Sequence, residues 1–441
     1  MMKHLIKTKG SIVALLPFFV FIFTFLGAGI LLNDFYALPS PIAVTFGIIT
    51  AFLLFRESIE AKVDTLIKGC GNNQIITMCL IYLLSGAFAV VTQAMGAVDA
   101  VVNLGISTID TEYFPLGIFL IASFLSTATG TSVGSIVALG PIAISLADKS
   151  GASMPLIAGS LLGGSMLGDN LSIISDTTIA ATQSLGCEMR DKFKVNLFIA
   201  LPASIITILL LFYLGINSEI SPVTIEKESY ELITIVPYIL VIGLAVSGLN
   251  VFITLLIGIL VAGIIGFFQN DFTVLSFLQK NYEGFLSMTD IFLLSMLTGG
   301  LAALVEKAGG IDYVLQKIKS KIKSKKSAQM GIGTLVSVTN LAIANNTVSI
   351  VITGAIAKEI SDEYELSPKK TAAILDIFCC IVQGILPYGA QVLLILNFAK
   401  GRLDVIDLIS NAWYVYILLI FTLIAIYSKT WNKRIDKFLK V

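Results

Sequence analysis

Runs of apolar residues about as long as a bilayer is thick recur from one end of this chain to the other. They restrict its architecture more than any other feature. An α-helix rises about 1.5 Å per residue, so a hydrocarbon core of about 30 Å asks for roughly 20 apolar residues. Such runs stand at roughly 11–32, 40–55, 75–95, 194–215, 232–249, 251–268, 286–306 and 411–428. The 441 residues are 56% hydrophobic and 13% charged, about half the ~25% charged share of soluble domains. The runs are continuous and do not alternate with a period of two, which argues against a β-barrel. The expected fold class is an all-α polytopic membrane protein of about 10–12 transmembrane helices. The first run has no small-residue cleavage pattern behind it and reads as a retained helix.

Histidine narrows the chemistry. The single histidine, His4, lies in the N-terminal tail. A Ser-His hydrolase, a His-ligated zinc site and a His-ligated haem are therefore not expected. Five cysteines show no CxxC spacing and read as small apolar residues. No GxxxxGK[ST] phosphate loop is present, which agrees with transport that does not use ATP. Neither a cofactor, nor enzyme activity, nor a nucleic-acid partner is expected. The lipid bilayer is the expected environment, and a homodimer is compatible with the sequence.

Lysine and arginine give the orientation. They collect in the tail (Lys3, Lys7, Lys9), at 56–68, at 190–194 (Arg190, Lys192, Lys194), in KIKSKIKSKK at 317–326 and after 428. The positive-inside rule assigns these segments, with both termini, to the cytoplasm, and the chain to the plasma (inner) membrane. The run at 317–326 reads as a solvated loop facing anionic lipid. The segments at 33–39, 107–115 and 217–231 are acidic or nearly free of Lys and Arg and belong outside. Lys400 and Arg402 do not fit this scheme.

Two regions, 113–185 and 328–398, are apolar but broken by Gly, Pro, Asn and hydroxyl residues. TSVGSIVALGPIAISLADKSGASMP (131–155) lies over NNTVSIVITGAIAKEISDEYELSP (345–368), sharing Ser-Ile-Val, Gly-x-Ile-Ala, an Asp and a helix-opening Pro. The first copy follows an acidic loop and the second a basic one, so the two would enter the membrane from opposite sides. That is an inverted repeat, the architecture of secondary transporters with midplane sites at discontinuous helices. The expected organisation is an N-terminal half, 1–215, and a C-terminal half, 216–441. Each half holds one re-entrant hairpin and one broken helix.

The chemistry concentrates in GDNLSIISDTT, 168–178. A carboxylate at the centre of a spanning helix costs about 2.5–3.5 kcal/mol on the insertion scale, so such acids are candidates for function. At about 100° per residue, Asp169, Ser172 and Asp176 fall within about 60° of one another. Na⁺ is placed at these three. The stretch can equally be unwound, since Asn170, Ser172, Ser175, Thr177 and Thr178 compete for backbone hydrogen bonds. A plainer reading makes Asp176 an N-cap of a helix beginning near Thr177. STATGTSVGS (126–135), with Thr129, Thr131 and Ser132, and NLAIANNTVSI (340–350), with Asn345, Asn346 and Thr347, read as hairpin tips. Asp376 is a further intramembrane acid, ahead of a break at GILPYGAQ, 384–391. An intramembrane aspartyl protease would carry GxGD, but Met166 stands where its first Gly would be.

At Gly168, Asp169, Ser172, Ser175, Asp176, Thr177 and Thr178 the chain resembles the NhaC-type Na⁺/H⁺ antiporters, whose stretch reads approximately GD-x-x-S-x-x-SDTT. TGTSVGS, GPIAISLA and GCEMRDKF resemble that family too, and the likeness is firm over about 120–195. Many members have Pro where this chain has Ile173. The resemblance implies a secondary antiporter exchanging cytoplasmic Na⁺ for external H⁺, with Asp169 and Asp176 as the binding acids. The alternative is a Na⁺- or H⁺-coupled transporter of a small organic acid or amino acid, since relatives of that kind exist.

Overall fold

A computed structural model describes residues 10–32, 38–173, 175–218, 231–269 and 271–438. The basic N-terminal tail with His4, and most of the segments 33–39 and 217–231, lie outside them. Among the described residues the chain is helical and has no strand. Eight helices are long and apolar enough to cross a membrane, and four shorter apolar ones accompany them. The run expected at 251–268 is the helix Val251–Phe268, and those at 75–95 and 286–306 are Asn73–Ala94 and Thr289–Lys307.

The outer helices carry their apolar residues outward. Phe23, Leu53, Leu209 and Phe268 are exposed on four different helices, an arrangement that only a lipid solvent tolerates on this scale. Two helices are instead enclosed on nearly every side: Met154–Leu171, buried from Leu156 to Asn170, and Pro368–Ile385. Small residues make the enclosure. A Cβ on Gly164 would lie 2.4 Å from the Phe119 carbonyl oxygen, and one on Gly168 2.5 Å from the Thr127 nitrogen. Helix Phe114–Thr129 can therefore pack backbone to backbone against Met154–Leu171.

The two broken regions form the same four-helix unit twice. The first is Phe114–Thr129, Ser132–Ser150, Met154–Leu171 and Asp176–Leu185; the second is Lys325–Ile343, Asn346–Glu363, Pro368–Ile385 and Ala390–Ala399. In each, a two-residue tip joins the hairpin, and its second residue caps the next helix. Thr131 accepts from the Gly134 N–H, and Asn345 from the Val348 N–H. The Ser126 hydroxyl donates to the Ser165 carbonyl (2.6 Å), and the Asn340 amide donates to that of Cys379 (3.0 Å). Among the described residues, three other than glycine have positive φ: Ala344, Glu365 and Lys400. Each lies 214 positions after a glycine of positive φ, namely Gly130, Gly151 and Gly186. The second repeat keeps the left-handed turns of the first with other residues where the first has glycine.

The copies are inverted. Each broken helix starts at the base of its own hairpin and finishes beside the base of the other. Asp191, just beyond the first, pairs with Lys369 at the foot of the second hairpin (2.6 Å). Arg402, just beyond the second, pairs with Asp148 at the foot of the first. These ion pairs account for the misplaced cations at 400–402: Arg402 is matched by Asp148, and Lys400 fills a left-handed helix end. The Lys run is only partly a loop. Lys317 and Lys319 close helix Gly310–Lys319, and Lys319 and Lys325 pair with Glu359 and Glu365 of the second hairpin.

Candidate functional site

The hairpin tips meet at a cavity of about 250 Å³. Gly130–Val133 and Asn345–Thr347 form two of its walls, and Asp169, Asp176 and Thr177 a third. Gln383 and Gln391, on either side of the second break, form a fourth, and Asn73–Ile81 flank the opening. Among the described residues that line it there is no Lys or Arg.

The first break runs from Ser172 to Ser175, after helix Met154–Leu171 has ended. Asp169, Ser172 and Asp176 therefore do not share a helical face. Asp169 belongs to the last turn of one half-helix, and Asp176 is the first residue of the next. Nor does Asp176 cap that helix: the Ser175 hydroxyl does, accepting from the Thr178 N–H. Asp176 is exposed toward the cavity, and its carboxylate at a helix N-terminus faces the positive end of the peptide dipoles.

Asp169 is 6% exposed and held by neighbours from both repeats. The Ser132 hydroxyl donates to its Oδ2 (2.8 Å). Gln391 Nε2 donates to Ser132 Oγ (2.9 Å), and Gln383 Nε2 donates to Gln391 Oε1 (2.8 Å). Gln383 Oε1 is buried without a hydrogen-bond partner. A carboxylate, a second acid at the rim, hydroxyls and an unengaged amide oxygen make a hard-oxygen lining, the donor set of an alkali cation.

The remaining expected residues divide. Thr131, Asn345, Asn346 and Thr347 reach the cavity. Asn170, Ser172, Ser175, Thr178, Thr129 and Asp376 are not among its lining. Ser172 is buried, its carbonyl accepting from Thr178 Oγ1 (2.8 Å). Asn170, next to Asp169, faces the other way and donates to Asp376 Oδ2 (3.0 Å).

Behind the cavity lies a second polar cluster. Lys192, which the charge pattern put in a cytoplasmic loop, is fully buried, and its Nζ lies 2.6 Å from Asp376 Oδ2. Asn196 Nδ2 donates to the same oxygen (2.9 Å) and to the Asn170 carbonyl (2.9 Å). The positive-inside rule failed here because helix Met189–Ile216 starts early enough to carry Lys192 inward. The missed signal was KFKVNLFIA, 192–200: Asn196, four residues after Lys192, shares its helical face and enters the apolar run. Gln383 and Gln391 were also missed, although two amides bracketing a Pro–Gly break in apolar sequence mark a polar lining.

The profile described as Na⁺/H⁺ antiporter family matches residues 4–216 and again 217–430. The chain belongs to that family. Its curated relatives include a malate-2H⁺/Na⁺-lactate antiporter of Bacillus subtilis (strain 168), 24% identical over 80% of this chain and 82% of that protein. They also include the Na⁺/H⁺ antiporter NhaC of the same organism, 25% identical over 82% and 85%. A crystal structure of the YdaH transporter from Alcanivorax borkumensis overlays with a TM-score of 0.43 at 12% identity, covering 94% of this chain and 98% of that one. That likeness is too loose to carry site positions. Membership in this family of antiporters makes the chain a multi-pass membrane transporter and not an enzyme, and it calls for no cofactor.

Proposed function

We propose that this protein exchanges Na⁺ for H⁺, one or the other occupying Asp169 at the meeting of the two hairpin tips. The observation that carries this reading is that Asp169 lines one cavity with Gln383, whose Oε1 is buried without a hydrogen-bond partner, and with Asp176 and Thr177. A proton on Asp169 removes the charge that holds Na⁺, and Na⁺ bound there opposes protonation. The two ions are then exclusive occupants of one place, and exchange follows once that place faces each side in turn.

The direction, cytoplasmic Na⁺ out and external H⁺ in, follows the charge pattern. Asn73 and Gln74, which line the cavity, follow the basic segment 56–68, which the positive-inside rule puts in the cytoplasm with both termini. A second cavity of about 210 Å³, lined by Gln93, Ser145, Asp148 and Asn397, lies toward the other end. Helices Asn73–Ala94, Ser132–Ser150 and Ala390–Ala399 line both cavities, so the packed layer between them is what must part. The two halves, 1–215 and 216–441, are the units that move against each other. A cysteine at Thr347 then reacts from the cytoplasmic side and one at Ser145 from outside.

The second reading, coupling to a small organic acid or amino acid, has the malate/lactate relative in its favour. Against it, a carboxylate substrate would meet Asp169 and Asp176 in a cavity whose described lining holds no cation. Proteoliposomes decide. A Na⁺ gradient that moves protons with no organic solute present supports simple exchange. Proton movement that needs an added organic acid or amino acid overturns it.

A further inference from the structure

The Lys192 ammonium sits among oxygens in the manner of a bound metal cation. Its Nζ lies 2.6 Å from Asp376 Oδ2, 2.7 Å from Thr178 Oγ1 and 3.2 Å from the Asn170 carbonyl oxygen. The ligands come from both sides of the first break and from the second broken helix, so the group bridges three elements. Around it, two more amide oxygens, Asn170 Oδ1 and Asn196 Oδ1, are buried with no hydrogen-bond partner. Asn170 and Asn196 are each fully buried. An ordinary structural ion pair in an apolar interior satisfies its neighbours; here the surroundings hold more acceptors than the ammonium uses.

We propose that this is a second cation position, occupied permanently by the chain's own ammonium, and that removing Lys192 opens it to Na⁺. The inference rests on the Na⁺/H⁺ reading above. The donor set, a carboxylate, a hydroxyl and a backbone carbonyl, with unpartnered amide oxygens on the two asparagines that bond Asp376, suits a dehydrated alkali ion. Asp169 and Asp376 are served by two cations, one transported and one tethered. Lys192 thereby sets how many ions bind, in addition to holding the broken helices together.

The test compares Lys192→Ala, which vacates the position, with Lys192→Met, which fills it without charge. Both are purified and reconstituted beside the wild type. Wild-type exchange depends on Na⁺ with a Hill coefficient of about one; Lys192→Ala moves it toward about two, the limit for two sites. Its apparent melting temperature also climbs with Na⁺ beyond the wild-type response, and Lys192→Met shows neither change. The double variant Lys192→Ala/Asp376→Asn, which keeps the pocket but removes its charge, loses the second Na⁺ response. Should Lys192→Ala fail to fold, Lys192→Ser, whose hydroxyl supplies an added ligand, takes its place with the same expectation. Recovery of either variant in Na⁺ but not in choline supports the proposal.

A wild-type protein that exchanges Na⁺ while Lys192→Ala and Lys192→Ser gain no additional Na⁺ dependence overturns the tethered-cation inference alone. A wild-type protein indifferent to Na⁺ overturns the exchange reading.

Discussion

Restoring glycine at the three left-handed positions of the second repeat should stabilise the protein. Ala344, Glu365 and Lys400 have φ of 54°, 47° and 50°. Left-handed backbone costs a residue with a Cβ about 1–2 kcal/mol. Glycine avoids that cost but gives up roughly 0.5–1 kcal/mol through the greater freedom of its unfolded chain. The net gain is about 0.5–1 kcal/mol at each site. Glu365→Gly also loses the 3.2 Å pair with Lys325, an exposed contact worth at most about 0.5 kcal/mol. The tip, the foot of the second hairpin and the end of the second broken helix share no partners, so the gains add, giving about 1–2.5 kcal/mol for the triple variant. Reversible unfolding in mixed micelles, with SDS as denaturant, measures this directly. The mirror set, Gly130→Ala, Gly151→Ala and Gly186→Ala, should lose a similar amount. If the glycine variants are less stable than the parent, or the two sets move in the same direction, the account of a copied backbone under strain is wrong.

The remaining predictions concern the site. Asp169→Asn should abolish Na⁺-dependent proton flux in proteoliposomes while leaving membrane insertion and the unfolding midpoint near those of the parent, because the amide keeps the Ser132 contact. Ser132→Ala removes a hydroxyl donor from a buried carboxylate, an interaction of about 1.5–3 kcal/mol, and should raise the half-saturating Na⁺ concentration about tenfold or more. Asp376→Asn strands the Lys192 charge and should cost about 3–5 kcal/mol in stability, whereas Lys192→Met/Asp376→Asn removes both charges and recovers most of that loss. Unfolding titrations of the two singles and the double close that cycle.

The fold was legible because bilayer thickness, helix rise and charge asymmetry are written residue by residue into the sequence. Both hairpin tips could be found for a related reason: Thr131 and Asn345, beside further polar residues, are interruptions that lipid would not tolerate unless they were buried or lined water. The side-chain partitioning of GDNLSIISDTT was not legible. Neighbouring residues Asp169 and Asn170 face different clusters, and the choice depends on the second broken helix, more than 200 positions away. A helical projection assumed that the turn continues through Ser172; the backbone ends it there. Lys192 was misread for the same kind of reason. Counting charges in a segment assigns it to a side of the membrane, but burial depends on where the helix begins and on whether a partner such as Asp376 waits inside.

The departures from symmetry say more about the site than the symmetry does. In the shared register, with Gly130 on Ala344, Asp169 falls on Gln383, Asp176 on Ala390, Thr177 on Gln391 and Asp376 on Leu162. Had both breaks kept the aspartate, a second enclosed carboxylate would join Asp169, with Asp176 already at the rim, and a single monovalent ion could not compensate them. With Gln383 in place of the second, the cavity keeps an oxygen ligand and loses a charge. The acid that the second copy does carry, Asp376, is turned away and matched by Lys192 at 2.6 Å. The enclosed charges are thus Asp169, Asp376 and Lys192, one negative charge in excess, which either one Na⁺ or one proton neutralises. Asp176, at the rim and at a helix N-terminus, adds negative charge that attracts the incoming cation. A substitution that returns the second acid, Gln383→Asp, breaks this balance. It should leave the cavity holding an additional proton or cation, seen as a changed number of protons moved per Na⁺. An unchanged ratio would mean that charge balance at the two breaks does not set the stoichiometry.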